Sequence, residues 1–302
     1  MKPSLEQIYV FVDDFIQENE LNFTFQRRAR LGRMTLSELI TLRIFFQMSQ
    51  VKTLKAFYFL LKNMDSAAFP GLVSYARWIL WQPRIEPALH ELMMSVLASA
   101  DELNALDSTA LNLLHFNRKG KVMSFQANCG HKTAKKWFYG FKLHVLVNSK
   151  AQLVEVRLTP ANTHDLTPIK DGMLWLCEGI VTADSAYISK DLKEDFLAKG
   201  CLLLALPREN QEKQFTPEEK TVYRFRTTIE RVFSQLKLYY NLLGWNPRST
   251  KGFFANVYAA LTAYALNKQI MASTILPYFL HGLLFFLFRV KIIYNANLNS
   301  RA

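Results

Sequence analysis

Cysteine is scarce in this chain: Cys129, Cys177 and Cys201 are its only three, and none forms a CxxC pair. That odd, scattered set excludes a disulfide framework and a self-contained four-ligand zinc site, and it fits a reducing, cytoplasmic setting. Eleven glycines and ten prolines in 302 residues are too few for linker or fibrous sequence. The opening stretch MKPSLEQIYVFVDDF lacks a charged start followed by an apolar run, so secretion is not expected. The apolar run Ile275 to Phe288 is fourteen residues, interrupted by Pro277, His281 and Gly282. It falls short of the ~20 residues that cross a bilayer, so stable membrane association is not expected either.

Acidic residues are missing where basic ones collect. From Ser108 to Val154 there is no Asp or Glu, yet Arg118, Lys119, Lys121, Lys132, Lys135, Lys136, Lys142 and Lys150 fall there, interleaved with Phe125, Trp137, Phe138 and Tyr139. Over the whole chain 37 Lys+Arg face 25 Asp+Glu, a formal charge of +12. Such charge points to a polyanionic partner. Lys and Arg mixed with aromatics suit nucleic acid, which offers phosphates and base faces together. A solvated basic surface has the same composition. Half the residues are apolar and 13% aromatic, enough for a sizeable core in one large or two modest domains.

Residues 1 to about 100 read as helices. Thr35-Leu36-Ser37-Glu38 is a capping box that starts a helix through Leu39, Ile40, Ile44 and Phe45. A second helical stretch, Lys52 to Lys62, follows after a short break. The pair, carrying Arg43, Lys52, Lys55 and Lys62, has the outline of a helix-turn-helix, an outline that any small helical bundle shares. Further helix is expected from Ser74 to Leu80 and from Pro87 to Ala98.

Past residue 100 the pattern turns to strands. Leu103 to Leu106 is short and apolar; Phe138 to Val147 and Leu153 to Leu158 are β-rich, with Asn148-Ser149-Lys150 as a hairpin turn. Then come a helical interval (Leu166 to Leu176), the strand Gly179 to Ala183, a helix (Ser189 to Ala198), the strand Cys201 to Leu206 and one long helix from about Pro217 to Tyr240. This order predicts a mixed α/β sheet flanked by helices. It is the order of elements in the ribonuclease H-like fold, though other α/β sheets accommodate it. The expected organisation is a helical N-terminal domain over 1–100, an α/β domain over 101–270 and an apolar, then basic tail over 271–302.

Three acids sit at the ends of apolar elements, where a carboxylate faces a site or is desolvated at a cost. Asp107 follows the first strand in ALDSTAL, Asp184 follows the fourth in VTADSAY, and Glu230 lies in the long helix within TTIERVFSQLK. Carboxylates gathered this way repel unless a divalent cation neutralises them, and hard oxygen donors suit Mg²⁺, or Mn²⁺ in its place. Two such ions about 4 Å apart can activate an attacking oxygen and stabilise a leaving one in phosphodiester cleavage. On the helix, Tyr223, Arg226, Glu230 and Lys237 stand at offsets 0, 3, 7 and 14. At about 100° per residue they share a stripe about 60° wide. Arg226 and Lys237 would hold phosphates on either side of Glu230.

Tyr-x2-Arg-x3-Glu-x6-Lys, fulfilled by Tyr223, Arg226, Glu230 and Lys237, resembles the signature around the third acid of bacterial insertion-sequence transposases of the DDE type. Asp107 in LDST and Asp184 in ADSAYIS match the first two acids. The stretches IYVFVDDF, MTLSELITL, FPGLVSYAR, WFYGFKLHVLVN and LTPANTHD extend the resemblance over about residues 8 to 270, most like insertion-sequence family 982. It implies a ribonuclease H-like catalytic domain in which Asp107, Asp184 and Glu230 hold two Mg²⁺ ions. It further implies recognition of terminal inverted repeats, strand cleavage, and joining of the 3′-hydroxyl to target DNA by a homodimer at the nucleoid. Tyr223, Arg226, Lys237, Lys142, Lys135, Lys136, Arg118 and Lys119 are the expected DNA contacts. The chain departs from the family in Ser185 and Ala186, where a basic residue and glycine are common, and in the tail after residue 270, which does not align. A nuclease that does not join strands, or a DNA-binding descendant that does not cut, is compatible with the same residues.

Other polar groups have simpler readings. His164-Asp165 could approach the acids, but a turn in which Thr163 or Asp165 caps the next helix accounts for them. Cys129-Gly130-His131 has no second ligand pair for zinc. Asp13-Asp14 reads as an exposed helix face, and Gly244 to Gly252 as the segment that closes the long helix, leaving Arg248 and Lys251 for DNA. Lys142 and His144 alternate along a strand and share a face.

Overall fold

The structure, a computed structural model, describes residues 3–21, 34–64, 69–114, 127–133, 136–173, 179–207, 215–243 and 249–272. Arg118, Lys119, Lys135, Cys177 and the tail beyond 272 lie outside the described residues, as do the side chains of Lys132 and Lys136.

Five helices come first: α1 (Leu5–Glu18), α2 (Leu36–Met48), α3 (Leu54–Met64), α4 (Tyr75–Trp81) and α5 (Glu86–Ser95). The capping box expected at Thr35 is present. Its hydroxyl accepts from the Glu38 amide at 3.2 Å, and the Glu38 carboxylate accepts from the Thr35 amide at 2.6 Å. Ser4 and Gln7 form a second box at the start of α1. These reciprocal bonds satisfy amides that a helix start leaves without partners. In α2, Arg43 and Gln47 are buried with Leu39, Ile40 and Phe46, so Arg43 is turned into the protein and away from any DNA surface.

The strands follow: β1 (Leu103–Leu114), β2 (Asn128–Thr133), β3 (Lys136–Val147), β4 (Leu153–Pro160), then α6 (Thr167–Lys170), β5 (Gly179–Ala183), α7 (Lys190–Ala198) and β6 (Cys201–Ala205). The predicted long helix is α8 (Pro217–Tyr223) and α9 (Thr227–Tyr239), joined by a tight 3₁₀ turn at Arg224–Arg226. Last comes α10 (Thr250–Ala272). Among the described residues, no helix is long and apolar enough to cross a membrane.

The sheet is mixed. Its strand order is β4-β3-β1-β5-β6, with β1, β3 and β4 antiparallel and β1, β5 and β6 parallel. β2 lies along the same edge of β3 as β4: Gly140 pairs with Asn128, and the next residue, Phe141, pairs with Pro160. The alternation of strand side chains sends Ala105, Leu111 and Leu113 to one face. There they join Phe141, Leu143 and Val145, the apolar side of α9, much of α10 and residues of α1 to α5 in one continuous cluster. Leu106, Leu146, Val181, Ala183, Cys201 and Leu203 face the other way and pack against α6 and α7. α10 runs through the helical side of the first cluster, touching α5, α2 and α9.

β3 crosses β1 so closely at one point that a side chain has no room. A Cβ on Gly140 would lie 2.1 Å from the Leu111 carbonyl oxygen and 2.7 Å from the Leu113 amide nitrogen, next to where the β1–β3 register shifts. Main chain in a ladder cannot step aside as a side chain can. Gly140→Ala is therefore expected to lower unfolding free energy by about 1–3 kcal/mol, read by urea unfolding.

Candidate active site

β1 is paired with β5 only through Leu103, Asn104 and Ala105. The residues that follow, Asp107 to Thr109, therefore have β3 on one side and, among the described residues, no strand paired on the other. Asp107 faces α9. Its Oδ1 accepts from the Ser108 amide at 2.7 Å, and its Oδ2 accepts from Arg226 Nη2 at 3.0 Å. Asp184 follows β5 and is held in the same manner, its Oδ1 accepting from the Ser185 amide at 2.6 Å. Its Oδ2 is 3.9 Å from Arg226 Nη2. Glu230, in the first turn of α9, accepts from Arg226 Nη1 at 2.5 Å.

Three elements distant in the chain thus bring Asp107, Asp184 and Glu230 to one guanidinium. Three negative charges face one positive charge, and their surroundings differ. Asp107 is 18% exposed at its side chain, whereas Asp184 and Glu230 are 44% and 54% exposed. Burial pushes the Asp107 carboxyl up to about 6, against the pull of Arg226 and the Ser108 amide; the Asp184 and Asp165 carboxylates add to the rise. For Arg226, burial favours proton loss, but Asp107, Tyr223, Glu230 and Asp184 outweigh it and keep the guanidinium above its ordinary value. Tyr223 stands close by. Burial raises its phenol, and so do Asp184, Asp107 and Glu230, while Arg226 opposes them.

Lys237, two turns further along α9, donates to Thr109 Oγ1 at 2.6 Å. Thr109 is two residues past Asp107 on the same face, about 7 Å along the strand. The polar stripe expected on the helix therefore lies over the acid strand. The 3₁₀ turn at Arg224–Arg226 tightens the backbone between Tyr223 and Glu230, so the stripe is not that of one regular helix.

Lys142 and His144 do share a face, but it is the one opposite Asp107. Lys142 Nζ is 3.1 Å from Asp165 Oδ1 and 2.9 Å from the Thr163 carbonyl oxygen. His144 is 1% exposed, with Nε2 2.9 Å from Thr159 Oγ1. Burial is the main reason its pKa falls to about 4, so the ring is neutral at neutral pH. Ser108, Thr109 and Asp165 were not singled out as functional by sequence reasoning. The available signal was period two: Ser108 pairs with His144 and Ala110 with Lys142, so β1 and β3 carry a second polar set behind the first.

Among the described residues, no three carboxylate, imidazole or thiol groups stand close enough to chelate a metal ion as placed. The donor set is nonetheless of one kind. Three carboxylates already converge on a cation, and oxygen donors of this kind are the preference of a hard divalent ion.

Residues 97–244 match the family model described as the transposase DDE domain, a span that contains all three acids. No curated protein matches the chain. Among solved structures, a piggyBac transposase synaptic complex with hairpin DNA is similar at 10% identity and a TM-score of 0.42, over 92% of this chain and 83% of that one. The Mos1 strand transfer complex is similar at 10% identity and a TM-score of 0.24, over 88% and 96%. The family model spans just under half of the chain, and the two structural likenesses are too distant to align individual residues.

Proposed function

We propose that the chain is an insertion-sequence transposase with a ribonuclease H-like catalytic domain, cutting DNA at its element's ends and joining the freed 3′-hydroxyls to target DNA. The observation that carries this reading is the convergence of Asp107, Asp184 and Glu230 on Arg226 within the matched domain. The strand order supports the fold assignment: with three antiparallel strands followed by two parallel ones, Asp107 lies on β1 and Asp184 just after its neighbour β5, with Glu230 on the helix that covers them.

Asp107, Asp184 and Glu230 would hold Mg²⁺ or Mn²⁺, which supplies the charge that activates an attacking oxygen and stabilises a leaving one. The rest of the chemistry belongs to the chain's own residues. The Ser108 and Ser185 amides fix the two aspartates by one oxygen each, leaving the second oxygen directed at the centre. Arg226 holds the excess negative charge together and is positioned to take a phosphate oxygen as its carboxylate partners are satisfied by other cations. Lys237 and Tyr223 flank the acids along the direction in which a DNA backbone would run. Lys135, Lys136, Arg118 and Lys119 of the basic sequence segment would add phosphate contacts, and the helices of the first 100 residues would supply end recognition. Cutting two ends together calls for a homodimer on DNA.

The test uses DNA carrying the element's terminal repeats, incubated with the chain and with Glu230→Gln, in Mg²⁺ or chelator. Metal-dependent cuts and joined products that vanish in Glu230→Gln are expected. Cuts without joined products would make the protein a nuclease, and end binding without cuts would make it a DNA-binding descendant.

A further inference from the structure

β1 carries its key acid where the sheet gives it least support. Beyond Ala105 the strand has β3 on one side and, among the described residues, no ladder on the other. A second tie replaces the missing ladder. Ser108 Oγ donates to Asp165 Oδ1 at 3.0 Å across 57 residues of sequence, while the amide of the same serine donates to Asp107 Oδ1 at 2.7 Å. Ser108 thus holds an acid on each face of the strand.

Asp165 is itself fixed. Lys142 Nζ reaches it at 3.1 Å and is anchored to the Thr163 carbonyl; their side chains are only 18% and 21% exposed, so water weakens the pair less than at an open surface. His144, paired with Ser108 across the strands, closes the back of the cluster with Nδ1 4.0 Å from Asp165. Tyr187 packs against it from the turn that follows Asp184, and burial keeps its phenol neutral.

We propose that Asp165 is a positioning residue of the acid centre: clamped by Lys142, it fixes the Ser108 hydroxyl, and through the Ser108 main chain it fixes the carboxylate of Asp107. The proposal rests on the reading of Asp107 as a metal-holding acid. Its logic is that of outer partners that orient a metal ligand, whose removal commonly weakens metal binding by 10–100-fold.

The experiment measures Mn²⁺ binding to the full chain by electron paramagnetic resonance, for wild type, Ser108→Ala, Asp165→Asn, the double variant and Asp107→Asn, alongside melting temperatures. Ser108→Ala and Asp165→Asn are each expected to weaken Mn²⁺ binding about tenfold, and Asp107→Asn, which alters the ligand itself, to weaken it more. The double variant should be no weaker than the singles, because two links in one chain are not additive. Metal-dependent cutting by Asp165→Asn should recover at high Mn²⁺, since the group acts on ligand placement and not on the reacting atoms. Wild-type binding that Asp165→Asn leaves unchanged would overturn the proposal while the reading of the centre stands. Loss in Asp165→Asn with none in Ser108→Ala would overturn it too, by making Asp165 a ligand or a purely structural acid. A wild type that binds no Mn²⁺ would remove the reading of the centre and the proposal together. If Asp165→Asn does not fold, Ser108→Ala decides alone: weaker binding at an unchanged melting temperature supports the tie, and unchanged binding rejects it.

Discussion

Asp107→Asn is expected to reduce metal-dependent DNA cleavage by about 10³-fold or more while leaving the metal-free protein more stable than wild type at neutral pH. The loss of activity follows from weakening a donor to a cation whose charge stabilisation amounts to several kcal/mol, where each 1.4 kcal/mol is about tenfold in rate. The gain in stability follows from burial. Asp107 is largely out of water, three carboxylates share one guanidinium, and its pKa stands at about 6 in the folded protein. Because that value lies above the unfolded one of about 3.9, the folded state takes up protons first, and stability is lost as pH rises through 6. Asparagine mimics the protonated acid and escapes that loss. The difference, on the order of 1–3 kcal/mol, should be full above pH 6 and fade below pH 4. Thermal unfolding in chelator across this range measures it. A variant less stable than wild type at pH 7.5 would mean that the Arg226 pair outweighs desolvation.

This opposition between stability and function explains which parts of the site could be read from the chain. Asp107, Asp184 and Glu230 stood out because each interrupts an apolar element. The same interruption hid most of β1: the run Asp107-Ser108-Thr109 after Leu106 sends polar side chains toward two sites, so only Leu103 to Leu106 read as strand, whereas the strand continues to Leu114. α10 was hidden for the opposite reason. Apart from the half-buried Phe254 and Tyr258 it is buried around its circumference between Phe253 and Leu266, so it shows no clear amphipathic stripe to mark it as a helix. β2 lay inside a basic segment whose charge pattern dominated its β signal. Asp165 read as a helix cap because caps and turns are local, whereas its partners Ser108 and Lys142 are fixed by the register of β1 on β3. Sequence periodicity reports which side chains share a face. It does not report which two faces meet, and both halves of this site are made by such meetings.

The helical side is pinned by a buried polar junction, and Asn256→Leu is expected to be the most destabilising substitution there. Asn256 Oδ1 accepts from Arg43 at 2.6 Å and from Gln47 at 2.9 Å, while its Nδ2 donates to the Asn241 and Leu242 carbonyls at 3.3 and 3.1 Å. One side chain thereby joins α2, α10 and the residues just after α9. Arg43 is fully buried, and burial pulls its pKa down to about 9. Deleting the acceptor while keeping the buried cation should lower unfolding free energy by about 3–5 kcal/mol. Arg43→Met removes the cation with its desolvation penalty, keeps an apolar stem, and leaves Asn256 its bond to Gln47; it should lose less than half as much. Urea unfolding of the two variants decides the matter, and an Arg43→Met loss equal to that of Asn256→Leu would show that the buried charge itself stabilises the junction. The consequence reaches the acids because Asn241 directly follows the helix that carries Glu230 and Lys237, with its Nδ2 donating to the Val51 carbonyl at 3.0 Å. Loosening this junction frees the C-terminal end of α9, so Asn256→Leu protein that remains folded should also place Lys237 less firmly over Thr109 and bind DNA less tightly.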